Sequence, residues 1–261
     1  MKKVVLLFFV LGIAISANAS LTDGLVAHYE FENNLEDSAN DYDGTGYGGA
    51  SYTTGVSGNC LELDGIDDYV EISGYSGISG SASRTVSLWV NCEPSYPVTT
   101  GVDSRRGILT WGSISYNGSL FGIVQNSTDG TWGDPSSVRV AVQNGKLSGS
   151  TDIADSQWHN IVVVLEENSG TEYVSDFKIY VDGQLEVISY LQDCVVNTDD
   201  LLDVLIGTGV GTYFAGLIDD VRIYDRALSA NEVIELSLLP EPATLSLLAI
   251  GGLTLIRRKR A

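Results

Sequence analysis

Between Leu21 and Leu236 the apolar residues come in short runs, each closed within a few positions by Gly, Asn, Asp or Ser. This spacing constrains the fold more than any other feature, because a run too short for a helix buries its side chains as a strand. Period-two alternation or β-branched density predicts strands at 25–31, 60–63, 69–72, 85–90, 107–111, 120–124, 137–142, 159–165, 177–181 and 217–224. Turn dipeptides punctuate them at Asp43-Gly44, Asp64-Gly65, Asn117-Gly118, Asp129-Gly130, Asn144-Gly145 and Asp182-Gly183. Only 229–236 reads as helix, with Ser229 as N-cap and Glu232 completing a capping box. Many short strands without a βαβ rhythm mean an all-β sandwich or barrel. The 29 glycines, against 5 prolines and 1 methionine, suit such a turn-rich chain. No linker or internal repeat divides the body, so one domain is expected over 20–238.

The charge is segregated. Between Ser20 and Leu239 there are 8 basic residues against 33 acidic ones, a formal −25. Lys2, Lys3, Arg257, Arg258, Lys259 and Arg260 stand at the two ends and bring the whole chain to −20. Nucleic-acid binding is excluded for such a body, since that binding is largely phosphate neutralisation by Lys and Arg. Docking on anionic lipid is disfavoured by the same argument.

Both ends read as addresses. In residues 1–19, Lys2 and Lys3 precede an apolar run from Val4 to Ala17, and Ala17-Asn18-Ala19 offers small residues to a signal peptidase. The run is short of the ~20 residues that span a bilayer, so a cleaved secretory leader is expected, with a mature chain in a compartment that permits disulfides. At 239–261, Pro240-Glu241-Pro242 is followed by an uncharged run from Ala243 to Ile256 and then by Arg257, Arg258, Lys259 and Arg260. A basic cluster holds such a segment at the cytoplasmic face. This tripartite end resembles the bacterial PEP-CTERM sorting signal. The resemblance implies transient inner-membrane insertion, processing by an exosortase, and delivery to the surface of an exopolysaccharide-producing Gram-negative bacterium.

Four segments of the body carry a second resemblance. The run Cys60-Leu-Glu-Leu-Asp-Gly-Ile-Asp-Asp-Tyr-Val-Glu-Ile72 resembles a hairpin of laminin G-like, concanavalin A-like domains. Trp158-His-Asn-Ile-Val-Val-Val164 with Phe177-Lys-Ile-Tyr-Val-Asp-Gly183 is similar to a second hairpin, and the stretch from Gly216 to Ser229 to the closing strand and helix start. The opening Gly24-Leu-Val-Ala-His-Tyr-Glu-Phe31 completes the set in order. The resemblance implies a two-sheet antiparallel jelly roll, with first and last strands adjacent, that acts as a recognition module.

Chemistry is sparse. Concanavalin A-like glucanases use alternating acids on one strand, and Glu62-Leu63-Asp64-Gly65-Ile66-Asp67 matches that pattern only in part. Asp64-Gly65 reads as a turn, so these carboxylates are not expected to share a face. His28 and His159 stand in apolar strands away from any nucleophile motif, which leaves a Ser/His/Asp triad unsupported. Two histidines and three scattered cysteines give zinc too few ligands.

Ca2+ suits surplus loop carboxylates. Asp37, Asn40 and Asp43 lie in the loop that, by resemblance, follows the first strand, and Asp219 or Asp220 of the adjacent closing strand would approach it. The alternative is that Asp37 shapes a turn and Asp219 caps backbone amides. For sugar, Trp89 and Trp158 read as core, whereas Trp132, in a Gly-rich loop, and Trp111 and Tyr116, flanking another, are candidate contacts, with ordinary loop packing as the alternative for all three. Arg105 and Arg106, a positive pair in the acidic body, read as a solvated loop, though an anionic sugar would find them attractive. Of the three cysteines, Cys60 and Cys92 are the expected disulfide and Cys194 the odd thiol.

The expected function is a non-catalytic, secreted module that binds exopolysaccharide or another surface glycan. The alternatives are a divergent glycoside hydrolase or lyase of the same fold, and a passive structural or adhesion protein of the extracellular matrix.

Overall fold

The computed structural model describes residues 20–92, 105–209 and 212–238. The leader at 1–19 and the sorting tail at 239–261, with Pro240, Glu241, Pro242 and the basic cluster, lie outside the described residues. Among those described, no helix is long and apolar enough to cross a membrane.

The chain runs through β1 (Leu25–Tyr29), β2 (Thr45–Tyr47), β3 (Ser51–Thr54), β4 (Asn59–Asp64), β5 (Tyr69–Ile72) and β6 (Arg84–Asn91). It continues through β7 (Arg106–Gly112), β8 (Leu120–Gln125), β9 (Ser137–Val142), β10 (Gly145–Asp152) and β11 (Trp158–Leu165). Then follow β12 (Lys178–Val181), β13 (Gln184–Leu185), β14 (Tyr190–Gln192) and β15 (Val204–Ile206). The last elements are β16 (Thr208–Gly209), β17 (Thr212–Tyr213), β18 (Ala215–Tyr224) and the helix α1 (Ala230–Ser237). All ten expected strands are present, and α1 carries the expected reciprocal Ser229–Glu232 capping box.

The strands form two eight-stranded antiparallel sheets and a short β16–β17 ribbon. The first sheet has the order β13-β12-β11-β6-β18-β4-β3, with β1 also on β18; the second has the order β14-β10-β9-β8-β7-β15-β5-β2. One apolar cluster fills the space between them. Val86, Leu88, Val90, Ile161 and Val163 of the first sheet share it with Leu109, Trp111, Phe121, Ile123 and Val140 of the second. Trp89 is buried, as expected of a core residue, while Trp158 is half-buried. Asp182 and Gly183, both at positive φ, make the tight turn that joins β12 to β13.

β18 is the seam of the first sheet. One of its edges pairs with β6, and the other pairs with β4 over 215–218 and then with β1 over 221–224. Register shifts between Asp219 and Arg222, where Asp220 takes φ +50, a left-handed conformation that Asp tolerates better than most residues. The first and last strands are therefore neighbours. Arg226 ties the ends further, donating from Nε to the Asp23 carbonyl (2.7 Å) and from Nη2 to the Ser20 carbonyl (3.2 Å) and to Glu232 (2.6 Å).

This topology overturns the expected disulfide. Cys60 lies on β4 and Cys92 just beyond β6, with β18 between those strands, and all three cysteines are free. Burial pushes the Cys60 and Cys92 thiols up to about 12, so both stay protonated and inert.

Candidate functional site

A single cross-strand row defines the outer face of the second sheet. Registers align Thr45, Glu71, Leu205, Thr110, Gly122, Ala141, Lys146 and Gln192 on eight successive strands. Their flanking residues, such as Val70, Ile72, Val204, Ile206, Leu109 and Phe121, belong to the core. Strand alternation therefore points the row away from the other sheet. Small side chains occupy its centre, and the β16–β17 ribbon packs over β7 there, where a Cβ at Gly209 would lie 3.5 Å from Thr110.

At one end of the row is a cleft of about 360 Å³ lined by Tyr69, Glu71, Asp203, Leu205, Thr208 and Tyr213. Tyr47, 40% exposed, stacks on its cross-strand partner Tyr69 with centroids 4.8 Å apart, and Tyr213 lies 6.2 Å from Tyr69. The Glu71 carboxylate beside Tyr47 raises that phenol's pKa by its charge, with a hydrogen bond adding to it. Ring faces next to carboxylates match what a pyranose or furanose presents, CH faces beside hydroxyl groups.

The aromatic residues singled out in the sequence are not brought together. Trp111 is core: it is 1% exposed, its centroid lies 4.3 Å from that of Phe121, and its Nε1 donates to the Ile78 carbonyl. Its neighbours in β7 alternate in and out, and Trp111 takes an inward position, so the expected ligand contact is corrected. Tyr116 is exposed in the β7–β8 loop, whereas Trp132 belongs to the β8–β9 loop at the opposite end of the strands. Lys146 Nζ sits 4.4 Å from the Trp132 centroid, and Tyr190 meets that ring edge-on. Packing thus occupies much of the Trp132 ring.

The expected Ca2+ ligands likewise do not converge. Asp37 Oδ1 accepts from the His28 and Ala39 amides, Asp43 Oδ1 accepts from the Asp37 amide, and the Asn40 side chain donates to the Val26 carbonyl. Asp219 Oδ2 accepts from the Val56 and Ser57 amides in the β3–β4 turn. Asp220 instead faces His28 Nε2 (2.7 Å) and Arg222. These are the turn-shaping and amide-capping roles that were the alternative reading.

Two features exceed expectation. Ser38 Oγ, His28 Nδ1, His28 Nε2 and Asp220 form a hydrogen-bonded chain, with 3.0 Å and 2.7 Å links. The Arg222 ion pair neutralises Asp220, and the Ser38 hydroxyl also reaches the His28 carbonyl, so the chain braces the first loop against β18. Glu62 and Asp64 do share a face, because β4 extends to Asp64 and both side chains are exposed. With Asp67 and Asp68 they line a second cavity.

Asp219 is expected to make stability depend on pH. It is 1% exposed, and burial, with a smaller push from the Asp220 charge, raises its carboxyl to about 7. The folded protein thus holds a proton that the unfolded chain releases near 4. The stability this proton lends is complete in acid and is lost as pH rises towards 7 and beyond. Asp219→Asn keeps an acceptor for Val56 and Ser57, and its stability advantage over the wild type is expected to widen with pH by at most ~1.4 kcal/mol per unit. Denaturant melts from pH 4 to 8 measure this, and parallel curves for the two proteins would refute it.

With this geometry the comparisons agree. A family profile described as the concanavalin A-like lectin/glucanases superfamily (Laminin_G_3) matches residues 64–234. The chain belongs to that superfamily. Solved structures give the same fold. Domain 4 of AbnA, a GH43 extracellular arabinanase from Geobacillus stearothermophilus, solved with arabinotriose, is 22% identical with a TM-score of 0.62, over 82% of this chain and 98% of that one. The binding domain of Paraclostridial Mosquitocidal Protein 1 is 13% identical (TM-score 0.58), over 84% of this chain and 52% of that one. The receptor-binding domain of botulinum neurotoxin D is 16% identical (TM-score 0.55), over 84% of this chain and 53% of that one. This superfamily member therefore spans about half the length of the toxin domains it matches. No curated protein sequence matches it.

Sequence reasoning missed Tyr47, Tyr69, Glu71 and Tyr213. With 13 tyrosines in the chain, a single one carries no signal. The alternation Tyr69-Val70-Glu71-Ile72 did place Tyr69 and Glu71 on one outward face, and that was the available clue.

Proposed function

We propose that this chain is a non-catalytic glycan-binding module whose binding face is the Tyr69–Glu71–Tyr213 cleft. The stacked Tyr47–Tyr69 pair beside Glu71, at the mouth of an open cleft, is the observation that carries this reading. Carboxylates of Glu71 and Asp203 accept hydrogen bonds from sugar hydroxyls and repel anionic sugars, so the ligand class is a neutral oligosaccharide. The arabinanase domain solved with arabinotriose belongs to the same ligand class. Catalysis is not proposed, because Asp67, the third acid of the Glu62-x-Asp64-x-x-Asp67 pattern, comes from the turn after β4 rather than from one continuous strand.

The leader and the Pro-Glu-Pro tail support export and exosortase sorting, with signal peptidase and exosortase as transient partners and exopolysaccharide as the natural source of ligand. The body charge of −25 favours a second reading, a passive matrix protein kept soluble by self-repulsion.

The test is a glycan array with neutral, sialylated and sulfated members, followed by calorimetry. Neutral oligosaccharides are expected to bind. Tyr69→Ala is expected to weaken them about fivefold or more, an aromatic contact being worth ~1 kcal/mol or more, with little change in the melt of a half-exposed residue. A blank array would favour the matrix reading, and undiminished binding by Tyr69→Ala would remove the cleft.

A further inference from the structure

We propose that the Tyr69–Glu71–Tyr213 cleft selects an oligosaccharide that carries a protonated amine, an amino sugar without an acyl group on its nitrogen, over the neutral N-acetylated counterpart. This inference rests on the glycan-binding reading and names the ligand class within it.

Three tyrosine rings follow one another at the rim of the cleft. Tyr47 and Tyr69 lie nearly parallel, at 11°, while Tyr69 and Tyr213 are tilted by 40°. Ring faces are the negative part of an aromatic quadrupole, and they attract an ammonium group within ~6 Å of the centroid. Two carboxylates stand beside the rings. Glu71 is placed by register between Thr45 of β2 and Leu205 of β15. Asp203 stands one residue before β15, and its Oδ2 accepts from the Gly74 amide at 2.9 Å, which fixes it at the cleft wall.

Among the described residues, no lysine, arginine or histidine lines the cleft. Arg106, at the start of β7, reaches instead towards Gly65 in the turn after β4. Two negative charges and the negative ring faces therefore act together, on a body that is itself at −25. A neutral sugar makes no use of that field. The Glu71 charge already holds the proton on the Tyr47 phenol, and it would hold the proton on a bound amine in the same way. An ammonium offers three N–H donors, enough to reach both carboxylates while the CH face of the sugar keeps its ring contact. N-acetylation removes the charge and leaves a single N–H.

The experiment compares two probes of equal length by calorimetry on the full chain, a β-1,4-linked glucosamine tetrasaccharide and its fully N-acetylated form, at mildly acid pH and low salt. The amine is expected to bind about fivefold tighter or more, a preference that shrinks as salt is raised. Glu71→Gln and Asp203→Asn keep the side-chain size and remove one charge each, and the ratio of the two affinities is expected to fall in both. Glu235→Gln removes the same charge from an exposed position on α1, which packs against β11 of the other sheet, and is expected to keep the wild-type ratio. If Glu71→Gln does not fold, Asp203→Asn decides. Equal affinity for the two probes overturns the inference and leaves the cleft as a neutral-glycan site. A preference that survives both cleft variants belongs to the charge of the whole body and also overturns it. No binding of the glucosamine probe overturns the inference, whereas only a blank array removes the glycan reading itself.

Discussion

Arg84→Ala is expected to cost ~3–5 kcal/mol of stability, since hydrogen bonds from a charged donor contribute ~1.5–3 kcal/mol each and removing a fully buried side chain leaves a cavity. Arg84 begins β6 and is 0% exposed. Its guanidinium donates to the carbonyls of Ile78 (2.7 Å), Gly80 (2.8 Å) and Ala82 (3.0 Å) and to Thr198 Oγ1 (3.0 Å). Gly80 and Thr198 also exchange backbone hydrogen bonds, so this one side chain fastens the segment before β6 to the segment before β15. The carbon at the centre of the fork lies 5.8 Å from the Phe121 centroid. Burial lowers its pKa to about 10, still well above neutrality, so the group stays charged in the interior. Arg84→Lys should recover only a fraction, because an ammonium offers no planar fork of five donors. Denaturant melts are the measurement, and a loss below about 1 kcal/mol would show that water replaces the guanidinium without cost.

Trp111→Ala is expected to be as damaging, ~3–5 kcal/mol, the usual range for emptying a buried indole site. Trp111 packs against Phe121, which in turn lies 5.6 Å from Phe177, so the loss is felt by β7, β8 and the segment before β12. Gly77, at φ +71, passes so close that a Cβ would come within 2.5 Å of the indole. Relaxation into the void is limited by that close backbone. The indole N–H bond to the Ile78 carbonyl is lost as well, leaving one carbonyl dependent on Arg84 alone among the contacts described. Thermal or denaturant melts measure the loss, while glycan affinity per folded molecule should stay at the wild-type value. A melt within about 1 kcal/mol of the wild type, or a selective loss of affinity, would return Trp111 to the ligand face.

Strands that carry alternating core residues were legible in the sequence: 69–72 and 137–142 begin and end where expected. Apart from the short apolar β15, the strands that were missed are mostly those whose residues say little about burial. β2 and β3 are Thr-Gly-Tyr and Ser-Tyr-Thr-Thr, exposed or half-exposed and at sheet edges. β10 is Gly-Lys-Leu-Ser-Gly-Ser-Thr-Asp, mostly small and polar, and only its pairing with β9 and β14 makes it a strand. A ladder supplies backbone hydrogen bonds irrespective of composition, so such segments carry no periodic signature. The binding face suffers most from this, because it lies across strands. Tyr47 gains meaning only opposite Tyr69, a juxtaposition set by register that a linear reading does not contain. Trp111 failed for the converse reason: its proximity to a loop suggested access, whereas its place in the β7 alternation turned it inward.

The adjacency of β1 and β18, with Arg226 clasping both ends, has a consequence for how the domain is used. A polypeptide that enters and leaves a folded unit at neighbouring points can carry it as a bead on a thread. Tension along such a thread loads the first sheet, which carries both ends, rather than the sheet with the Tyr69 cleft, which is the other layer of the sandwich. Splicing the unit into a longer protein, or hanging it from a surface by one end, leaves its recognition face equally free to turn outward.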